Sequence, residues 1–202
     1  PPSATKLKIF GMDVPGSAGN LDAARGPATS IEATLDYLRK VDPGAATSFQ
    51  ARLAKGVLAI SKTNDYGALS QLDRDAFTSA IADMISLVQL RRHEYIAKSS
   101  EDEYEWAERG ALSAPNVDDW FRKMPVGWTL KDGFAWVPAA IAVRDHAMAD
   151  NLEWILDRLA PDSRVLVFAA TPHIATMPLK ESMTHGHEIV PFGVYAKKRF
   201  GA

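Results

Sequence analysis

The sequence predicts an α/β domain, a mainly parallel sheet flanked by helices with a helical insertion, open to the reading that the domain is incomplete. Three observations predict it. Strand-like runs stand towards the two ends, at Lys6–Val14 (KLKIFGMDV), Arg164–Ala169 (RVLVFA) and Ile189–Val194 (IVPFGV). Helical periodicity fills the stretch between about residues 30 and 112, with no strand signal inside it. A second helical pattern, Ala139–Leu159, leads into the Arg164–Ala169 run.

The elements follow in order. Lys6–Val14 alternates and then turns solidly apolar, as a buried strand does, and Pro15, Gly16 and Gly19 break it. Thr29-Ser30-Ile31-Glu32 has capping-box spacing, and Ile31, Leu35 and Leu38 recur at i, i+4 and i+7 before Asp42-Pro43 stops the helix. Thr47 or Ser48 is placed to cap the next helix, which runs to about Lys62. Ser70-Gln71-Leu72-Asp73 opens the strongest one, with Phe77, Ile81, Met84, Ile85, Val88 and Tyr95 along one face. Ser100-Glu101-Asp102-Glu103 is another capping box, followed by Tyr104, Ala107 and Ala111 on one face. From Ser113 to Pro138 the periodicity is lost among Pro115, Pro125, Gly127 and Gly133. Arg164–Ala169 is short, apolar and rich in β-branched residues, the pattern of a parallel strand buried on both faces. Ile189–Val194 is a weaker last strand, demoted by Pro191. The whole reads as one domain, or the C-terminal part of one. Strand and loop span 1–29, a helical layer 30–112, an aromatic loop 113–138, and a helix with C-terminal strands 139–202.

Composition excludes several classes of function. At 202 residues, with 47% hydrophobic and 24% charged residues, the chain is long enough for a core and too apolar for global disorder. A net charge of −2 carries no basic excess for nucleic acid. No apolar run approaches the roughly 20 residues that span a bilayer. The absence of cysteine removes thiol catalysis and Cys-ligated zinc, and fits a cytoplasmic protein. Pro1–Phe10 has neither an initiator Met nor a signal-peptide core, which points to excision from a longer chain. No nucleophile elbow, Walker loop or dinucleotide fingerprint occurs.

Five groups of residues are candidates for chemistry. On a helical wheel Arg144, Met148, Asn151 and Ile155 fall within about 60° of one another, so two apolar neighbours carry Arg144 and Asn151 inward. A buried guanidinium needs a partner. That makes either a polar cluster facing a site or a structural ion pair with a neighbouring strand. His173 lies just beyond a strand end, where open α/β sheets bind ligands, and can be a general base, an acid or an oxyanion donor. Asp13 holds the equivalent place after the first strand, to orient a histidine, bind a substrate hydroxyl, or simply close a turn. Trp120, Trp128 and Trp136 lie in the aromatic stretch with Phe121 and Phe134, as a lid or substrate wall or as core. His185 and His187 flank Gly186 and open a metal-dependent alternative with His173, although a solvated loop is the simpler reading.

Two blocks of sequence together resemble the erythromycin esterase-like hydrolases, a family also described as succinoglycan-biosynthesis homologues. The first is Ile9–Gly16 (IFGMDVPG) with Ala33–Pro43 (ATLDYLRKVDP). The second is Val143–Leu159 (VRDHAMADNLEWILDRL), continuing through Arg164–Ala169 to His173-Ile174-Ala175. The resemblance implies metal-independent, cofactor-free hydrolysis of an ester or macrolactone, with a histidine activating water in a cleft above the sheet. Arg144 and Asn151 then match the family's polar helix face, and His173 the second histidine of its H-N-x-H motif. His173 is expected to polarise the carbonyl or stabilise the oxyanion, Arg144 to supply charge, and Asn151 and Asp13 to orient neighbours. Two departures stand against this. Ala170 occupies the place of the first histidine of that motif, and the family's Glu-x-x-His block lies upstream of the G-x-D strand, outside these residues. The expected partners are therefore a small ester or macrolide-like ligand and an N-terminal half present as a separate chain. The alternative is a non-catalytic module that binds a polyketide-like or saccharide ligand.

Overall fold

A computed structural model describes residues 8–14, 28–61, 65–126, 138–180 and 188–201. Among these residues the structure is helical, and it corrects the expected α/β sheet. Helix α1 spans Thr29–Val41, α2 Pro43–Ser61, α3 Gln71–Leu90, α4 Arg92–Ala97 and α5 Glu101–Arg122. Then come α6 at Pro138–Asp157, the single turn α7 at Thr171–Ile174 and α8 at Phe192–Phe200. The sole β pairing among the described residues is an isolated antiparallel bridge between Leu179 and Ile189.

Local chemistry sets the helix boundaries. Ser70 accepts a hydrogen bond from the Asp73 N–H at 3.1 Å and Ser100 one from the Glu103 N–H at 3.2 Å, so both predicted caps form. Asp42-Pro43 does double duty. It ends α1, and the Asp42 carboxylate takes the Ala45 N–H at 3.1 Å to cap α2, with Pro43 as its first residue. Thr47 therefore lies inside α2, its hydroxyl donating to the Pro43 carbonyl. Thr29 and Ser30 lie inside α1, whose cap position is Ala28. Helix α5 passes straight through Pro115 and takes in the first part of the expected aromatic loop.

None of the three expected strands forms among the described residues. Residues 8–14 are extended, and among the described residues side chains hold them rather than a neighbouring strand. Arg164–Ala169 is also extended, with Leu166 93% and Phe168 95% exposed and no second strand beside it among the described residues. Phe192–Phe200 coils as α8, with Lys197, Lys198 and Arg199 in its last turn, where cations suit the carbonyl end. Gly201 then closes it at φ 71°, a left-handed conformation that suits glycine, and donates its N–H to the Lys197 carbonyl.

Helix α5 is the hub. It packs against α1, α3, α4 and α6, while α2 bridges α1 and α3. The main core lies between these helices, built on Ile31, Leu38, Leu53, Phe77, Ile81 and Met84. A smaller core of Met148, Ala149, Leu152 and Phe192 joins α6 to α8, with Met12 and Ala169 against it. No helix among the described residues is long and apolar enough to cross a membrane.

Candidate functional site

Helix α6 carries two of the candidate residues, Arg144 and Asn151, and takes part in two neighbouring arrangements. The first ties the extended segment 8–14 down. Arg144 donates from Nε to Asp13 Oδ1 at 2.8 Å and from Nη2 to Oδ2 at 2.5 Å, the fork geometry that guanidinium and carboxylate favour. Two turns further on, Asn151 donates from Nδ2 to the Met12 carbonyl at 2.8 Å. Its Oδ1 accepts from Arg109 Nε and Nη2 at 2.9 and 2.7 Å. Burial lowers the Arg109 guanidinium from its ordinary range, and Asp150 and Glu153 oppose that shift. Phe10 stacks on Trp106 at 6.1 Å as a further hold on the same segment. The inward stripe of Arg144 and Asn151 is thus real, and Arg144 makes the ion pair that was one of its two expected uses.

The second arrangement was not anticipated in full. His173, on α7, sets Nδ1 2.6 Å from Asp145 Oδ1. Asp145 follows Arg144 directly on α6 and its side chain is 1% exposed, whereas that of His173 is 13% exposed. The other carboxylate oxygen accepts the Phe192 N–H of α8 at 3.0 Å. A carboxylate only accepts, so Nδ1 carries the proton of this contact, and in a neutral ring Nε2 is then the acceptor. Both Asp145 oxygens are engaged by donors, which compensates for burying the charge. Asp145 lies inside the block VRDHAMADN, but nothing in its spacing marks it. It falls one residue off the inward stripe, and its partner is 28 residues away on a turn not visible as a helix.

Of the remaining candidates, those among the described residues do not join these groups. Trp120 is buried on α5 and meets Phe121 edge to face at 4.7 Å, inside the main core. Trp128 and Trp136 lie outside the described residues, as do Phe134, His185 and His187. Ala170 is exposed and occupies the cap position of α7 with no side-chain hydrogen bond. His146 is half exposed on α6, 3.2 Å from Asp150.

One more buried polar cluster, around Asp118, has the character of a structural tie. Its carboxylate accepts from the Tyr66 hydroxyl, from the Thr78 hydroxyl at 2.5 Å and from Arg122 Nε at 3.1 Å. Burial and the adjacent carboxylate push the Tyr66 hydroxyl far up, so it remains a donor. Tyr66 is fully buried, on the core side of this cluster.

A family model described as erythromycin esterase matches residues 1–202, the whole chain. No solved structure matches the chain.

Proposed function

The chain belongs to the erythromycin esterase family, and from that premise we propose that it hydrolyses an ester or lactone by water, with His173 moving the proton and Asp145 orienting it. The observation that carries this reading is the 2.6 Å contact between His173 Nδ1 and the buried Asp145 carboxylate. A carboxylate on Nδ1 holds the imidazole in one tautomer and stabilises the imidazolium that forms when Nε2 takes a proton. Nε2 removes a proton from water as the water oxygen attacks the carbonyl carbon. The ester C–O bond then breaks, and Nε2 returns the proton to the departing alkoxide. The products are an acid and an alcohol, joined in one molecule when the substrate is a lactone.

In this reading Arg144 and Asp13 act together. Their paired hydrogen bonds fix segment 8–14 beside the dyad, and Asn151 secures the same segment through Met12. Arg144, Asp13 and Asn151 are positioning residues here. Ligand classes follow the family description, so a macrolide lactone is the first substrate to try.

The test uses the full chain with a macrolide and with a simple aryl ester. His173→Ala is expected to lower kcat by about 10²–10⁴-fold, the usual contribution of a positioned general base. Asp145→Asn is expected to fall in the same direction with KM little changed. Unchanged hydrolysis in folded His173→Ala would overturn the assignment. Ala170 favours a second reading, a module of the same fold that binds such a ligand without cleaving it, because alanine cannot share the proton work. Ligand-dependent stabilisation of the wild type without product would select that reading.

A further inference from the structure

Two adjacent residues in the first turn of α8 stand against the two halves of the dyad. The Phe192 N–H holds Asp145. Gly193, which is buried, lies against the end of the α7 turn that carries His173. A Cβ at position 193 would stand 2.5 Å from the carbonyl oxygens of both Ile174 and Ala175, and 2.6 Å from the Ile174 carbonyl carbon. Real Cβ atoms essentially never approach that closely, and these are main-chain atoms that cannot swing aside as a flexible side chain does. Gly193 is not among the residues with positive φ, so the position demands space and not conformational freedom. The residues that such a side chain would push directly follow His173, on a one-turn helix with no side-chain cap that packs on α8.

We propose that Gly193 is a positioning residue for the dyad: the missing side chain lets α7 seat His173 against Asp145 while the neighbouring Phe192 N–H fixes the carboxylate. Its consequence for hydrolysis rests on the proposed role of His173 and Asp145, whereas its geometric part does not. The first turn of α8 then sets both members of a pair whose contact is 2.6 Å, and a displacement of α7 by about 1 Å breaks that hydrogen bond.

The experiment is proton–nitrogen NMR on the full chain, reading the His173 ring. Wild type is expected to show a slowly exchanging Nδ1–H resonance, assigned by its loss in His173→Ala. Gly193→Ala is expected to lose it. Ile81→Val, which removes one methylene from the distant main core, is expected to keep it. Persistence of the resonance in folded Gly193→Ala would overturn the proposal. A second measurement needs no variant: cross-relaxation between the Gly193 α-protons and protons of Ile174 or Ala175 in wild type is expected, and its absence overturns the proposal even if Gly193→Ala does not fold. With a hydrolysed substrate in hand, Gly193→Ala lowers kcat and leaves KM. If His173→Ala hydrolyses normally while Gly193→Ala still loses the resonance, the catalytic reading fails and the positioning inference stands.

Discussion

Replacing Asn151 by alanine tests whether the polar stripe of α6 holds segment 8–14 or merely lies beneath it. The side chain accepts two hydrogen bonds from Arg109 and donates one to the Met12 carbonyl. Hydrogen bonds to a charged group contribute about 1.5–3 kcal/mol net, and a neutral one about 0.5–1.5 kcal/mol. The two Arg109 donors share one oxygen, so they count as one charged interaction. Alanine is therefore expected to cost about 2–4.5 kcal/mol, because Arg109 is left partly buried without its acceptor. For a chain of this size that is a fall of roughly 4–18 °C in Tm. Asn151→Asp separates the two halves. A carboxylate keeps the Arg109 acceptor, but it cannot donate to the Met12 carbonyl, so only the neutral share of about 0.5–1.5 kcal/mol is lost. Urea unfolding followed by circular dichroism measures both variants, with an unchanged m-value confirming that stability alone has moved. A cost below about 0.5 kcal/mol for Asn151→Ala, the level of an ordinary surface change, would refute the reasoning. Equal costs for the two variants would show that Arg109 does not lean on Asn151.

Three further outcomes are expected. Burial alone would raise the Asp42 carboxyl, but the Ala45 N–H, the Tyr95 hydroxyl and the charges of Arg91 and Lys98 outweigh it and hold the group below its ordinary range. Its contribution is fully present above the unfolded value near about 3.9 and is lost as pH falls through the lower folded value, so acid titration of stability should show a limb below about pH 4 that Asp42→Asn lacks. Gly56→Ala would drive a Cβ to 2.2 Å from the Phe77 ring in the main core and should cost about 1–3 kcal/mol or more, reduced in the double variant with Phe77→Leu. Pro115 is exposed inside α5 and denies the Ala111 carbonyl its helical donor, so Pro115→Ala should raise the urea midpoint by an amount worth about 1–2 kcal/mol, once the added freedom of the unfolded chain is set against the restored helix.

The helical half of the chain was legible because its signals are local. Ile31, Leu35 and Leu38 repeat on one face, and all three are buried. Ser70 and Ser100 cap as their spacing requires. Misreadings arose where a local signal has two outcomes. Asp42-Pro43 ends one helix and starts the next, and an aspartate followed by proline serves either purpose. Pro115 suggests a break, yet the packing of α5 against α1, α3 and α6 outweighs a local cost of about 3 kcal/mol. Arg164–Ala169 has genuine strand composition, but strand propensity is a fit to a pleated neighbour, and none lies beside it among the described residues. The error at Ile189–Val194 was avoidable, because three basic residues followed by Gly201 form the signature of a helix end.

The candidate site divides along the same line. A helical wheel reports which side of a helix faces inward, and it identified Arg144 and Asn151 through their apolar neighbours Met148 and Ile155. It says nothing about what meets that side. Asp13 was picked out, but its pairing with Arg144 spans 131 residues and exists because segment 8–14 crosses α6. Asp145 is the sharper case. It lies about 100° round the helix from Arg144, away from the stripe, and is nonetheless among the most buried side chains of α6. Its burial comes from α7 and α8, which supply one donor each: the His173 ring and the Phe192 N–H. α7 lies in what reads as a loop just beyond a strand end, and only the first residues of α8 fall within the expected last strand. With neither turn legible as a helix, Asp145 had no visible partner, and a buried carboxylate without partners is not a residue that sequence reasoning selects. The dyad became visible only when α7 and α8 were placed, which makes the first turn of α8 as much a determinant of the site as the residues of α6.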